Sequence, residues 1–123
     1  MQLIDTNIFI DHFRGHALAT DFFESLDQDN IIFSAISEAE IITGKQCNEL
    51  KKKEEILQFL RKWQKIDANN SIAIKAGDLA REYSMELADA FIAATAILHK
   101  AELLTRNVRD FKQIKELRVK SPY

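Results

Sequence analysis

Glycine, proline and cysteine are scarce in this chain: three, one and one among 123 residues. With so few breakers there is no linker rich in Gly, Pro or Ser, and the length suits one compact domain over residues 1–123. Cys47 stands alone, so no internal disulfide can form, and a reducing interior suits the chain better than secretion. The most apolar stretch, Ala90 to Leu98, is too short to span a bilayer, and the first residues lack the charged and apolar regions of a signal peptide. A cytoplasmic protein with no membrane partner is expected. A large excess of either charge is missing too. The formal net charge is -2, so there is no global attraction for nucleic acid, only local positive surface at Lys51-Lys52-Lys53, Arg61-Lys62 and Lys112 to Lys120. Internal repeats and low-complexity segments are also absent.

What is present is an alternation of short apolar runs with helical patterns. Gln2 to Asp5 reads as a buried strand and Thr6 to Phe13 as a helix with Ile8, Phe9 and Phe13 on one face, stopped by Gly15. A second helix should turn Leu18, Phe22, Phe23 and Leu26 inward. After the polar break Asp27 to Asn30, Ile31 to Ser34 reads as a strand and Ser37 to Thr43 as a helix closed by Gly44. Cys47 to Trp63 is an amphipathic helix with Leu50, Ile56, Leu57, Leu60 and Trp63 inward. Lys65 to Asp67 is a weak third strand, Ser71 to Tyr83 a helix, and Ala90 to His99 a helix apolar nearly all round. Glu102 to Thr105 reads as a strand, Val108 to Ile114 as a turn with a short helix, and Leu117 to Val119 as a last strand. Such alternation predicts an α/β fold, a mostly parallel sheet covered by helices on both faces.

Polar clusters fall where strand gives way to helix, the edge on which open α/β sheets carry their chemistry. Each has a structural reading beside a functional one. Asp5 can cap the helix that starts at Thr6; Ser37 to Glu40 has the capping-box pattern; Asp89 can cap Ala90 onward; Asn107 and Asp110 can stabilise a turn. A parallel sheet, however, brings these junctions to one side of the molecule. Carboxylates gathered there raise each other's pKa, a cost that one or two Mg²⁺ or Mn²⁺ ions would reverse. No paired Cys or closely spaced His favours zinc, and His12, His16 and His99 fall on helical segments. A carboxylate-held divalent ion suits phosphodiester hydrolysis, since it activates water and needs no protein nucleophile. That fits the lack of a Ser/His/Asp or Cys/His arrangement. Thr6, Asn7, Ser34 and Thr105 are placed to orient ligands or water.

Four ordered segments carry a family resemblance over nearly the whole chain: Leu3 to Asn7, Ser34 to Gly44, Leu87 to Ala96, and Leu104 to Phe111. Together they resemble PIN-domain ribonucleases, specifically the VapC-like toxins of type II toxin-antitoxin pairs. The resemblance implies a three-layer α/β/α sandwich with a central mostly parallel sheet, endoribonuclease activity dependent on Mg²⁺ or Mn²⁺, a cognate antitoxin protein over the cleft, and a homodimer. Carried over by position, Asp5, Glu40 and Asp89 match the three principal acids as metal ligands and catalytic groups. Where members often have a fourth acid this chain has Asn107, so either Asn107 is a neutral ligand or Asp110 supplies the charge. Thr105 matches a polar strand-end position beside the acids, and Thr6 is the best placed of the other supporting residues. Arg106 and Arg109 are candidates for RNA phosphate contact.

The competing reading is a non-catalytic RNA- or partner-binding module on the same fold, for which Asn107 in place of an acid is the reason. A receiver-like phosphoryl-transfer domain fits less well, because the first strand ends in a single Asp and no supporting Lys follows a later strand.

Overall fold

The computed structural model describes residues 1–123. Its three central strands are short, largely apolar runs whose side chains alternate between two helix-covered faces, and the two edge strands are more polar. The strands are β1 (Gln2–Ile4), β2 (Ile31–Ser34), β3 (Gln64–Ile66), β4 (Glu102–Leu104) and β5 (Val119–Lys120), joined in the order β3-β2-β1-β4-β5 with every pairing parallel. Seven helices cover them: α1 (Thr6–Phe13), α2 (Ala17–Glu24), α3 (Ala35–Ile42), α4 (Leu50–Leu60), α5 (Asn70–Tyr83), α6 (Leu87–Leu98) and α7 (Val108–Phe111). No helix is long and apolar enough to cross a membrane.

Strand periodicity of two sorts the core into two layers. Leu3, Ile32 and Leu103 face one way and pack with Ile72, Ala76 and Leu79 of α5 and Ala90, Ala93 and Ala94 of α6. Ile4, Ile31, Phe33 and Leu104 face the other way, against Ile8 and Phe9 of α1, Phe23 of α2, and Ile56 and Leu60 of α4. The result is the expected α/β/α sandwich. α6 is buried on most sides because its small side chains, Ala90, Ala93, Ala94 and Ala96, let it lie close to both sheet and α5.

Several expected boundaries and faces differ. Leu18 is exposed at 55%; α2 starts at Ala17 and buries Ala19 and Phe23, one turn apart, so the stripe misses Leu18. Leu50, expected inward, is exposed at 72% because it opens α4 beyond the edge of the core. The amphipathic helix is shorter than its pattern: a 3-10 turn holds Lys45–Asn48, and Trp63 is buried just past the helix end. α3 begins earlier than expected, at Ala35, because the Ser34 hydroxyl accepts from the Ile36 amide at 3.0 Å. Ser37 therefore lies inside the helix, and the expected capping box is not formed.

Candidate active site

The strand order places β2 and β3 on one side of β1, and β4 and β5 on the other. A crevice consequently opens at the carboxyl ends of β1 and β4, where ligands bind in sheets of this kind. Asp5 and Thr105 follow those two strands. The Asp5 amide donates to Leu104 O at 3.0 Å and the Thr105 amide to Lys120 O at 3.0 Å, so both are fixed by the sheet.

Asp5 does cap α1, as its structural reading required: the Thr6 amide donates to its Oδ1 at 2.7 Å. Its other oxygen accepts from the Thr105 hydroxyl at 2.7 Å. That hydroxyl also accepts from Asn7 Nδ2 at 3.2 Å and the Asn107 amide at 2.9 Å, so its one donor and two lone pairs are all engaged. Capping and site-building are thus one function of Asp5.

Glu40 is held differently. Thr6 Oγ1 lies 2.7 Å from Glu40 Oε1 and 2.8 Å from Ser37 Oγ. A hydroxyl has one proton, so Thr6 donates to the carboxylate and accepts from Ser37. Ser37 and Glu40 lie three residues apart on α3 and face Thr6 together. Glu38 points elsewhere and pairs with Lys65 at 2.9 Å. Thr6→Val should leave the fully buried Ser37 hydroxyl without its acceptor and free Glu40 to swing. The expected cost is about 1–3 kcal/mol in urea unfolding.

Asp89 is not the cap of α6. Glu86 occupies that position, and Asp89 lies in the first turn, where the helix dipole favours a negative charge. Asp5, Glu40 and Asp89, with Thr6, Asn7, Ile10 and Asn107, line one cleft of about 220 Å³. An adjoining polar hollow of about 420 Å³ shares Asp89 and Asn107 and adds Glu86 and Asp110. Asn107 and Asp110, expected as alternatives, are bonded to each other, Asn107 Nδ2 donating to Asp110 Oδ2 at 2.8 Å.

The cleft opposes ionisation. Burial, reinforced by the nearby charges of Asp89 and Glu40, pushes the Asp5 carboxyl up to about 6, against the pull of the Thr105 hydroxyl and the Thr6 amide. Asp89 is raised above its ordinary value by burial first, then by Glu86, Glu40 and Asp110. Oxygen donors and mutually repelling carboxylates are what a hard divalent cation requires. As the side chains lie, no three acids close around one point, and Glu40 is the one tied back by Thr6. The oxygen donors that Asp5, Glu40, Asp89 and Asn107 bring to this cleft are of the kind that suits Mg²⁺ or Mn²⁺.

Of the arginines expected near RNA, Arg109 is exposed, whereas the Arg106 guanidinium is engaged by Asp11, with Nε 2.6 Å from Oδ2. Of the histidines, His12 stacks on Phe59 at 4.3 Å, His99 sits 3.0 Å from Thr95 O, and His16 is exposed at the start of α2. Sequence reasoning missed Ser37 as a support for Glu40, because its spacing imitates a cap. Asp11 was missed as well; its position one turn after Asn7 on α1 was the available signal.

The family model for the PIN domain matches residues 3–117. Ribonuclease VapC10 of Mycobacterium tuberculosis is 33% identical over 124 residues, covering 96% of this chain and 91% of that protein. Ribonuclease VapC19 of the same organism is 35% identical, covering 95% and 97% respectively. Among solved structures, a toxin-antitoxin complex from Klebsiella pneumoniae superposes with a TM-score of 0.86 at 34% identity, over 100% of this chain and 98% of the other.

Proposed function

The chain belongs to the PIN-domain family, and from that premise we propose that it is a VapC-like endoribonuclease toxin that hydrolyses RNA phosphodiester bonds with Mg²⁺ or Mn²⁺. One observation carries the reading: acids from three separate helix beginnings or helices, Asp5 before α1, Glu40 on α3 and Asp89 on α6, line a single cleft, where burial and neighbouring charge raise the pKa of Asp5 and Asp89. Asp5 and Asp89 would hold the cation, Glu40 would complete its shell, and Asn107 or Asp110 would supply a fourth position. Once bound, such an ion acidifies water and neutralises charge developing on the phosphoryl oxygens.

The protein's own groups do the rest. The Thr105 hydroxyl and Thr6 amide fix the orientation of the Asp5 carboxylate, and the Ser37-Thr6 pair fixes Glu40. One of the three acids would take the proton of the attacking water. Arg109, exposed on α7, would supply charge for the RNA backbone. A cognate antitoxin protein and a homodimer complete the reading, the first supported by the toxin-antitoxin complex among the structural relatives.

Chelation tests the metal. EDTA-treated protein should lose RNA cleavage and regain it with Mg²⁺ or Mn²⁺. Metal at about 100 times its Kd should add about 2.7 kcal/mol of stability and raise the melting temperature accordingly. Cleavage that persists at the same rate in EDTA would overturn the metal assignment. Metal-bound protein that leaves RNA intact would favour the non-catalytic binding module.

A further inference from the structure

Asp11 is a buried carboxylate outside the acidic cleft, and it is the hub of a second polar cluster. It follows Asn7 by one turn of α1, so both side chains meet the loop after β4. Asn7 Oδ1 accepts from the Arg106 amide at 3.4 Å, and Asn7 Nδ2 donates to Thr105 Oγ1 at 3.2 Å. Asp11 grips the Arg106 side chain at two points, Nε at 2.6 Å and Nη2 at 3.2 Å. A planar guanidinium held in this way has a fixed direction, which one ammonium contact would not give.

A third donor comes from a distant part of the chain. Tyr123 Oη donates to Asp11 Oδ2 at 2.7 Å, and its ring lies 5.4 Å from His16 and 6.3 Å from Phe22. Burial and the bond to Asp11 raise the phenol above its usual range, so it stays a donor at any working pH. Pro122, the one proline of the chain, restricts the step that brings Tyr123 onto α1 and α2.

We infer that Asp11, Arg106 and Tyr123 form a latch that fixes the loop after β4, holding Thr105 against Asp5 and Asn107 beside Asp89, and are positioning residues for the reaction. The inference rests on the ribonuclease reading and changes the role of Arg106. Its charge is directed inward to Asp11, and its contribution is to geometry. Thr105 provides the clearest link: the loop that carries Arg106 also carries the hydroxyl that binds Asp5. Releasing the latch therefore loosens the acid most central to the cleft without touching it.

The test compares Asp11→Asn, Tyr123→Phe and Arg106→Ala with the parent, and with Arg81→Ala as a control for loss of a surface charge on α5. Amide hydrogen exchange is read at residues 105–112, together with kcat and KM on a mixed-sequence, fluorophore-labelled RNA 20-mer, with Asp5→Asn as the blank for contaminating nuclease. Asp11→Asn should speed exchange in that segment about tenfold. It should lower kcat by about ten- to a hundredfold while KM stays within about twofold. Tyr123→Phe, which keeps the ring, should show the same pattern more weakly. Unchanged exchange in Asp11→Asn would sink the latch whatever the RNA does. Losses confined to KM in Arg106→Ala would make that residue a phosphate contact instead. If the parent cuts no RNA but exchange still rises in Asp11→Asn, the ribonuclease reading fails and the latch stands.

Discussion

Asp5→Asn is expected to abolish RNA cleavage and, in the same step, to make the metal-free protein more stable above about pH 6. The first effect follows from the proposed function, in which the Asp5 carboxylate would hold the metal, and should be about 10²–10⁴-fold in rate. The second follows from burial. Asp5 is 5% exposed, and the folded protein favours its neutral form. With a folded pKa of about 6 against an ordinary 3.8, the stability contributed by the neutral acid is whole below 3.8 and lost as pH rises through 6. At about 1.4 kcal/mol per unit, the charged group costs on the order of 2–3 kcal/mol in metal-free protein at neutral pH.

Asn carries no such charge and still offers an oxygen to the Thr6 amide. The advantage of Asp5→Asn over the parent, measured by urea unfolding in EDTA, should therefore emerge between about pH 4 and pH 6 and stay level above. Saturating Mg²⁺ should shrink or invert it, because a cation reverses the preference for the neutral acid. A variant that is inactive but no more stable than the parent at about pH 8 would mean that Asp5 is ordinarily ionised in the fold. A stabilised variant that still cuts RNA at the parental rate would remove Asp5 from the chemistry.

Such trade-offs explain which parts of this molecule were legible before the fold was known. The central strands could be read because buried parallel strands are rich in Leu and Ile, and β2 has the limits expected from Ile31 to Ser34, whereas the polar edge strands are displaced from the expected spans, β3 to Gln64–Ile66 and β5 to Val119–Lys120. Asp5 could be read because the end of β1 and the start of α1 form a strand-to-helix junction; Asp89, expected at another, instead follows the turn from α5 into α6, yet Asp5, Glu40 and Asp89 do share a cleft. What resisted reading was any feature decided by contact across the chain. Ser37 and Glu40 have the spacing of a capping box, but Thr6, distant in sequence, offers both a better partner. Arg106 looks like an RNA contact until Asp11 and Tyr123 are placed beside it. Leu18 and Leu50 obey the helical period yet lie outside the core, because a helix of 8 residues in one case and a helix start in the other leave nothing to cover them. Local pattern fixes the faces of an element, and only the neighbours decide how much of a face is used.

Phe9→Ala should be the most damaging single change to the fold, and it should disable the cleft from a distance. Phe9 is fully buried where α1, α2, α4 and β2 meet, with its ring 5.2 Å from Phe23, 5.3 Å from Phe33 and 6.4 Å from Phe59. Truncating a buried Phe costs about 3–5 kcal/mol, a large share of the roughly 5–15 kcal/mol that holds a domain of this size. The same helix begins with Thr6 and Asn7 directly after Asp5, so its docking onto the sheet sets where three residues of the cleft lie. The midpoint of urea unfolding should fall steeply, and RNA cleavage should fall with the folded fraction and recover on cooling or at low urea. Phe9→Leu, which keeps most of the volume, should lose less than half as much, whereas Ile74→Ala, at a side chain 70% exposed on α5, should change stability by no more than about 0.5 kcal/mol. If Phe9→Ala kept the parental stability, the aromatic cluster would not be the element that ties α1 to the sheet. The geometry of Asp5, Thr6 and Asn7 would then have to be held by their own hydrogen bonds to Thr105, Arg106 and Glu40 alone.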